Sequence, residues 1–170
     1  MLSWEYPPRI IGGISRVVHD MAQMLGEMGN EVHVITYAED GSKTVEMDGK
    51  VTVHRVRAYE ITAVRFIDWV LQMNISMLEY SARLINEIGR ADIIHAHDWM
   101  VAFAARAVKH AYSIPLVSTI HATEHGRNRG IHNKDQRYIS SIEWWLTYES
   151  WKVIVNSEYM RDEGRNLFQL

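Results

Sequence analysis

No cysteine occurs in the 170 residues of this chain. That excludes disulfide cross-links, zinc ribbons, thiol nucleophiles and iron–sulfur clusters, and leaves any metal to histidine and carboxylate ligands. Prolines number only three, and no repeat of roughly 20 to 50 residues, low-complexity tract or linker divides the sequence. Apolar runs stay well short of the about 18 to 20 residues that cross a bilayer, and the amino end has no basic stretch leading into an apolar one. A cytoplasmic protein with no transmembrane segment is expected. Positive charge is short as well: 18 Lys and Arg against 21 Asp and Glu leave a formal charge of −3. No broad basic field is present to attract nucleic acid. What remains is ordinary globular material, 47% hydrophobic, in a length that fits one domain.

The pattern along the chain alternates. Residues 2–4 are apolar and run into Tyr6-Pro7-Pro8-Arg9 and then Gly12-Gly13, as a strand passing into a glycine loop does. From Ile14, apolar positions recur at three and four residue steps through Val17, Val18, Met21, Leu25 and Met28, and Gly29-Asn30 stops them. This predicts a helix. Residues 32–37 are β-branched and aromatic, and Val51, Val53 and Val56 alternate; both stretches predict strands. A helix over 61–88, with room for a break, closes at Gly89. The second half predicts strand 93–97, helix 100–112, strand 115–120, helix 138–149, strand 151–156 and helix 158–168. Strands linked through helices cross over and lie parallel, with helices on both faces. The predicted fold is α/β, a doubly wound and mostly parallel sheet spanning 1–170 as a single domain.

Ligands of such sheets bind in the crevice outside the strand carboxyl ends. Three segments loaded with reactive side chains follow strands directly, namely 6–13, His97-Asp98-Trp99 and 121–137. The expectation is that they meet on one rim. Gly12-Gly13 before a helix lets a ligand approach the backbone, with free amides and the positive helix end offered to a phosphate; the same pair also serves as a plain connection. It is neither G-x-G-x-x-G nor G-x-x-x-x-G-K-[ST], which disfavours a dinucleotide fingerprint and a P-loop. His95 and His97 share a strand face, His95 placed for a hydrogen bond inside the fold and His97 nearer the crevice. Asp98 reads as a helix cap. These histidines, with His121 and His125, lack the spacing of H-E-x-x-H, and no metal is expected.

The aperiodic stretch 121–137 holds Glu124, His125, Arg127, Arg129, His132, Lys134 and Arg137. At about sixteen residues it is longer than most connections and reads as a mobile acceptor or lid loop. Trp144, Trp145, Tyr148, Trp151 and Tyr159 concentrate aromatic surface of the kind that stacks on sugars. Trp145 falls on the apolar spacing of its helix and Trp151 opens a strand, so the sequence assigns both to the core.

Several of these segments together are more specific than any alone. Ser3-Trp4-Glu5-Tyr6-Pro7-Pro8 before Gly12-Gly13, then His95-Ala96-His97-Asp98-Trp99, Ser118-Thr119-Ile120-His121 and Val153-Ile154-Val155-Asn156-Ser157 resemble the N-terminal domain of retaining GT-B glycosyltransferases, glycogen and starch synthases in particular. Order and spacing match over nearly the whole chain. The resemblance implies two Rossmann-like domains facing a cleft, the N-terminal one on the acceptor side and a covalently attached C-terminal one, absent from this sequence, holding most of the donor. It implies transfer of a sugar, with retention and without metal or other cofactor, from a nucleoside diphosphate to an oligosaccharide or polysaccharide hydroxyl. ADP-glucose or UDP-glucose is the donor it favours. By the same resemblance Gly12, Gly13 and Arg9 approach the donor diphosphate, and His97 contacts the transferring sugar as the catalytic histidine. Tyr6, Asp98, His121, Glu124 and His125 line the sugar and acceptor cleft.

The synthases carry a lysine two residues before the glycine pair, where this chain has Ile10 beside Arg9. Either Arg9 supplies that charge or the chain belongs to the broader group without the lysine. The acidic E-x7-E signature of the second domain is also missing, so the chain alone is expected to have little or no transferase activity. Two other readings compete: a nucleotide-binding oxidoreductase domain, with Glu39 or Asp40 on a ribose, and a non-catalytic carbohydrate-binding module.

Overall fold

The computed structural model describes every residue except Asp40, Gly41, Lys43 and Leu170. Its first half runs β1 (Leu2–Ser3), α1 (Gly13–Glu27), β2 (Val32–Tyr37), β3 (Val45–Asp48), β4 (Val51–Val56) and α2 (Phe66–Ile88). The second half runs β5 (Ile94–His97), α3 (Ala102–Tyr112), β6 (Leu116–Ile120), α4 (Glu124–Asn128), α5 (Lys134–Glu149), β7 (Lys152–Val155) and α6 (Glu158–Phe168). The strands form one sheet in the order β3-β4-β2-β1-β5-β6-β7, parallel except for β3, which runs antiparallel to β4. The doubly wound α/β prediction therefore holds. No described helix is long and apolar enough to cross a membrane.

Pleating sorts the side chains into two cores, as it must in a sheet covered on both sides. Val32 and Val34 face one way with Val51 and Val53, and α1 covers them with Val18 and Ala22. Ile35 and Val56 face the other way, into a larger core with Val70 and Met73 of α2, Val108 of α3 and Leu116 of β6. Leu2 is paired on both sides, with Ile35 of β2 and Ala96 of β5. From β1 the chain winds outward through β2 and β4, then returns by α2 to β5 on the opposite side. Strand order thus reverses between β1 and β5, and a crevice opens at their carboxyl ends.

The structure corrects several boundaries. Residues 45–48 form a strand that hydrophobic pattern misses, because this edge strand alternates between exposed and half-buried positions. Its turn is Asp48-Gly49-Lys50 with Gly49 at φ +59, a pairing suited to tight hairpins. The long helix starts at Phe66 rather than 61 and continues unbroken to Ile88. Val64, which extended the apparent period, is 91% exposed. Asp68 starts that helix by accepting from the Arg65 amide at 3.1 Å and from its guanidinium at 2.7 Å, and Gly89 at φ +86 ends it. The expected loop over 121–137 contains α4 and the first turn of α5, leaving only 129–133 between helices. Thr123 and Asn133 cap them by accepting from the amides of Gly126 and Gln136 at 2.8 and 2.9 Å. Trp151 does not open a buried strand: it is 67% exposed, and β7 alternates between exposed and half-buried positions.

Candidate active-site cleft

A cleft of about 380 Å³ lies at the β1/β5 crevice. One wall comes from the loop after β1 and the start of α1, with Glu5, Ile11, Gly12 and Gly13; the other brings Asp98, His121, Arg127 and Asn156. The predicted convergence of the three loaded segments on one rim is therefore observed.

In the first wall the decisive residue is Glu5, which sequence pattern did not single out. It is fully buried, and its Oε2 accepts the amides of Ile11 and Gly12 at 2.7 and 3.0 Å. These loop amides are spoken for. The amides of the first helical turn are not: Gly12 at the N-cap makes no side-chain cap bond, and no acidic residue sits in the first turn of α1. The positive end of a 15-residue helix thus opens on the cleft. Neither glycine is required by backbone strain or by packing. A Cβ on Gly13 would meet nothing within 4 Å, and one on Gly12 would come no closer than 3.7 Å, to Glu5 Oε1. The space they leave faces outward.

Arg9 and Tyr6 lie off this lining. The Arg9 guanidinium is 5.1 Å from the ring centres of both Trp4 and Tyr37, and it donates to Glu39 at 2.6 Å. That contact pins the loop to the end of β2. Glu39 is accordingly committed to Arg9, while Asp40, the other residue placed on a ribose, lies outside the described residues. Tyr6 is fully buried and donates to Asp48 at 2.9 Å; burial and this carboxylate raise its pKa.

The second wall rests on stacked imidazoles. The His95 and His97 ring centres are 4.2 Å apart, and those of His97 and His121 are 5.4 Å apart. His95 Nε2 bonds Thr119 Oγ1 at 2.7 Å, the internal partner expected of it. His97 is fully buried behind His121, with its Nδ1 3.1 Å from His121 Nε2, so it is His121 that reaches the cleft surface. Asn156 Nδ2 lies 3.3 Å from His121 Nδ1. With the Asn156 amide assigned as donor, His121 carries its proton on Nε2 and gives it to His97 Nδ1. His97 Nε2–H is then a buried donor without a partner among the described residues. Burial pushes His95 and His121 down to about 4 and His97 well below its usual value, so all three are neutral near pH 7. They supply hydrogen bonds here, not positive charge.

Asp98 does not cap the following turn. Its φ is +62, its carboxylate makes no cap bond, and it accepts instead from the His121 amide at 2.9 Å and Arg127 at 3.2 Å. Burial raises its pKa to about 6 against the opposing pull of Arg127 and the backbone bonds. Arg127 also donates to the Ala122 carbonyl at 3.0 Å and is the cation on the cleft lining. Glu124 and His125 fall on α4, behind the lining rather than on it. Both oxygens of Glu143, buried on α5, accept the Glu124 amide at 2.8 and 3.0 Å. Desolvation lifts the Glu143 pKa to about 8. The signal for Glu143 in the sequence is a carboxylate between Ile142 and Leu146 on the inward helix face, which hydrophobic pattern does not register.

The comparisons with known proteins agree with this geometry. The model of Glycosyltransferase Family 4 matches residues 11–170. An uncharacterized glycosyltransferase of Methanocaldococcus jannaschii is 37% identical over 168 residues, covering 99% of this chain and 42% of the relative. A glycogen synthase of Mycobacterium tuberculosis is 37% identical over 183 residues, covering 99% of this chain and 44% of the relative. The chain therefore spans less than half the length of these relatives. Among solved structures, sucrose-phosphate synthase from Thermosynechococcus elongatus superposes with a TM-score of 0.77 at 16% identity, over 91% of this chain and 39% of that one, a match of fold. Sequence along almost its whole length and the arrangement of its sheet lead to one assignment: the chain belongs to Glycosyltransferase Family 4.

Proposed function

We propose that the cleft is the acceptor-side half of a retaining glycosyltransferase active site, similar in chemistry to glycogen synthase, which transfers glucose from ADP-glucose or UDP-glucose to a glycan hydroxyl. The observation that carries the reading is the uncapped amino end of α1, with two side-chain-free residues, facing His121 and Arg127 across the cleft. As the sugar–diphosphate bond breaks and the acceptor oxygen bonds to the same carbon, negative charge grows on the departing diphosphate. The acceptor's proton leaves with it. Helix amides and a guanidinium already held in place by Asp98 stabilise that charge without reorganising. His97 acts one layer back: fully buried behind His121, with its Nδ1 3.1 Å from His121 Nε2, it orients the imidazole that faces the sugar. In this reading a second domain supplies most of the donor site and these 170 residues alone give no turnover, which the more than twofold greater length of the relatives supports.

Titration of the chain with ADP-glucose and UDP-glucose, followed by transfer assays on a longer version carrying the donor half, tests the proposal. Weak donor binding by the chain alone and clear turnover only in the longer protein are expected. There, His97→Ala should depress transfer far more than folding stability. Equal loss of both would reduce His97 to scaffold, and robust turnover by the isolated chain would refute the half-site reading.

A further inference from the structure

The cleft is not the only concavity of the molecule. A groove of about 790 Å³ lies between α3, α5 and α6, roughly twice the volume of the cleft. It takes in part of the aromatic concentration that sequence pattern assigned to the core. Trp144 and Tyr138 are 46% and 42% exposed on its lining, beside the half-buried Trp145 and Phe103, whose rings pack 5.4 Å apart. Arg106 lies 4.9 Å from the Trp145 ring centre and holds that indole in place. Polar groups share the lining: Ser140, and Arg137, which has no acidic partner among the described residues.

We propose that this groove is an accessory binding site for a linear α-glucan, holding the part of a long acceptor that extends away from the cleft. The inference rests on the glycan-acceptor reading of the cleft. Lining chemistry selects the occupant. A packed apolar helix would satisfy the rings and strand Arg137 and Ser140 without partners, at a cost. A glucan presents C–H ring faces to indole and phenol and hydroxyls to guanidinium and serine, so it satisfies both kinds of group. Position supports it independently. Arg127 lines the cleft and Ile131 lines the groove, so the two concavities share the short wall 127–131. Four residues of chain span at most about 14 Å, a separation that a short run of sugar units bridges. Helix α5 joins them structurally, with Glu143 inward on the α4 amide and Trp144 and Tyr138 outward on the groove.

The test is calorimetric titration of the 170-residue chain with maltose and with maltoheptaose, in the wild type and in three variants. The wild type is expected to bind maltoheptaose more tightly than maltose. The double variant Trp144→Ala/Tyr138→Ala should lose about tenfold in maltoheptaose affinity, the equivalent of about 1.4 kcal/mol, and bind both sugars alike. Trp151→Ala, an exposed tryptophan off the groove, should behave as wild type. His121→Ala should weaken maltose and leave the length preference in place. Equal affinity for the two sugars in the wild type, an unchanged double variant, or an equal loss in Trp151→Ala would each overturn the accessory site. Transfer assays on the longer protein carrying the donor half keep the underlying reading separate: turnover there with no groove effect removes only this inference. Absence of turnover there removes the transferase reading and leaves the length preference to decide the groove.

Discussion

The two walls of the cleft are built on different physics. In the wall after β1, a buried carboxylate holds two loop amides, and a guanidinium clasped between aromatic rings fixes the loop. In the wall after β5, three neutral imidazoles and a carboxyl group of raised pKa carry the geometry, and His95, His121 and Asp98 change state within a few units below neutrality. Mild acid therefore acts on the second wall through Asp98, His95 and His121. In the proposed function, anion recognition falls to peptide amides and one arginine, and hydrogen-bond recognition to the histidines.

Breaking the first wall should have the largest effect. Glu5→Ala leaves the Ile11 and Gly12 amides without an acceptor and should lower unfolding free energy by about 2–4 kcal/mol, read as a shift of the urea midpoint at constant slope. Glu5→Gln retains an accepting oxygen and should recover most of that loss. The second wall is tested by pH. His95 and His121 have folded pKa values near 4 and burial holds His97 well below its usual value, so between about pH 6.5 and 4 the unfolded chain binds more protons and their contribution to stability falls with acid. Asp98 acts in the opposite sense: with a folded value near 6 against 3.8 unfolded, it binds its proton more readily in the folded state. Asp98→Asn should therefore steepen the acid loss below pH 6 and His121→Asn should flatten it, both measurable by thermal unfolding across that range.

Smaller effects sharpen the contrast. Gly13→Ala places a methyl group in open space within a helix, so it should leave stability unchanged or raise it by up to about 1 kcal/mol while weakening nucleotide-sugar binding. A parallel fall in both would show that Gly13 serves packing. Asn156→Ala should change stability by no more than about 0.5 kcal/mol. It should still shift the tautomer balance of His121 and His97, read from imidazole nitrogen chemical shifts.

Much of the sheet was legible because parallel strands covered on both faces leave dense apolar runs, and α6 was predicted with its observed bounds. The edge strand β3 and the single-turn α4 were not, since neither buries a continuous stripe. In the site, Gly12, Gly13, Asp98 and His121 were readable from their place just beyond strands. Arg9 and Tyr6 were placed at the cleft by the family resemblance, and only the three-dimensional course of the loop turns them toward Tyr37 and Asp48. Glu5 and Glu143 escaped notice because their function lies in backbone amides six to nineteen residues away, a pairing no local pattern encodes.

The uncapped start of α1 has a lasting consequence for how this protein tolerates change. A receptor composed of main-chain N–H groups belongs to no particular codon, so drift in the surrounding side chains, such as isoleucine at position 10, leaves it standing. It is closed by added bulk at either glycine, or by a proline that deletes one of its donors.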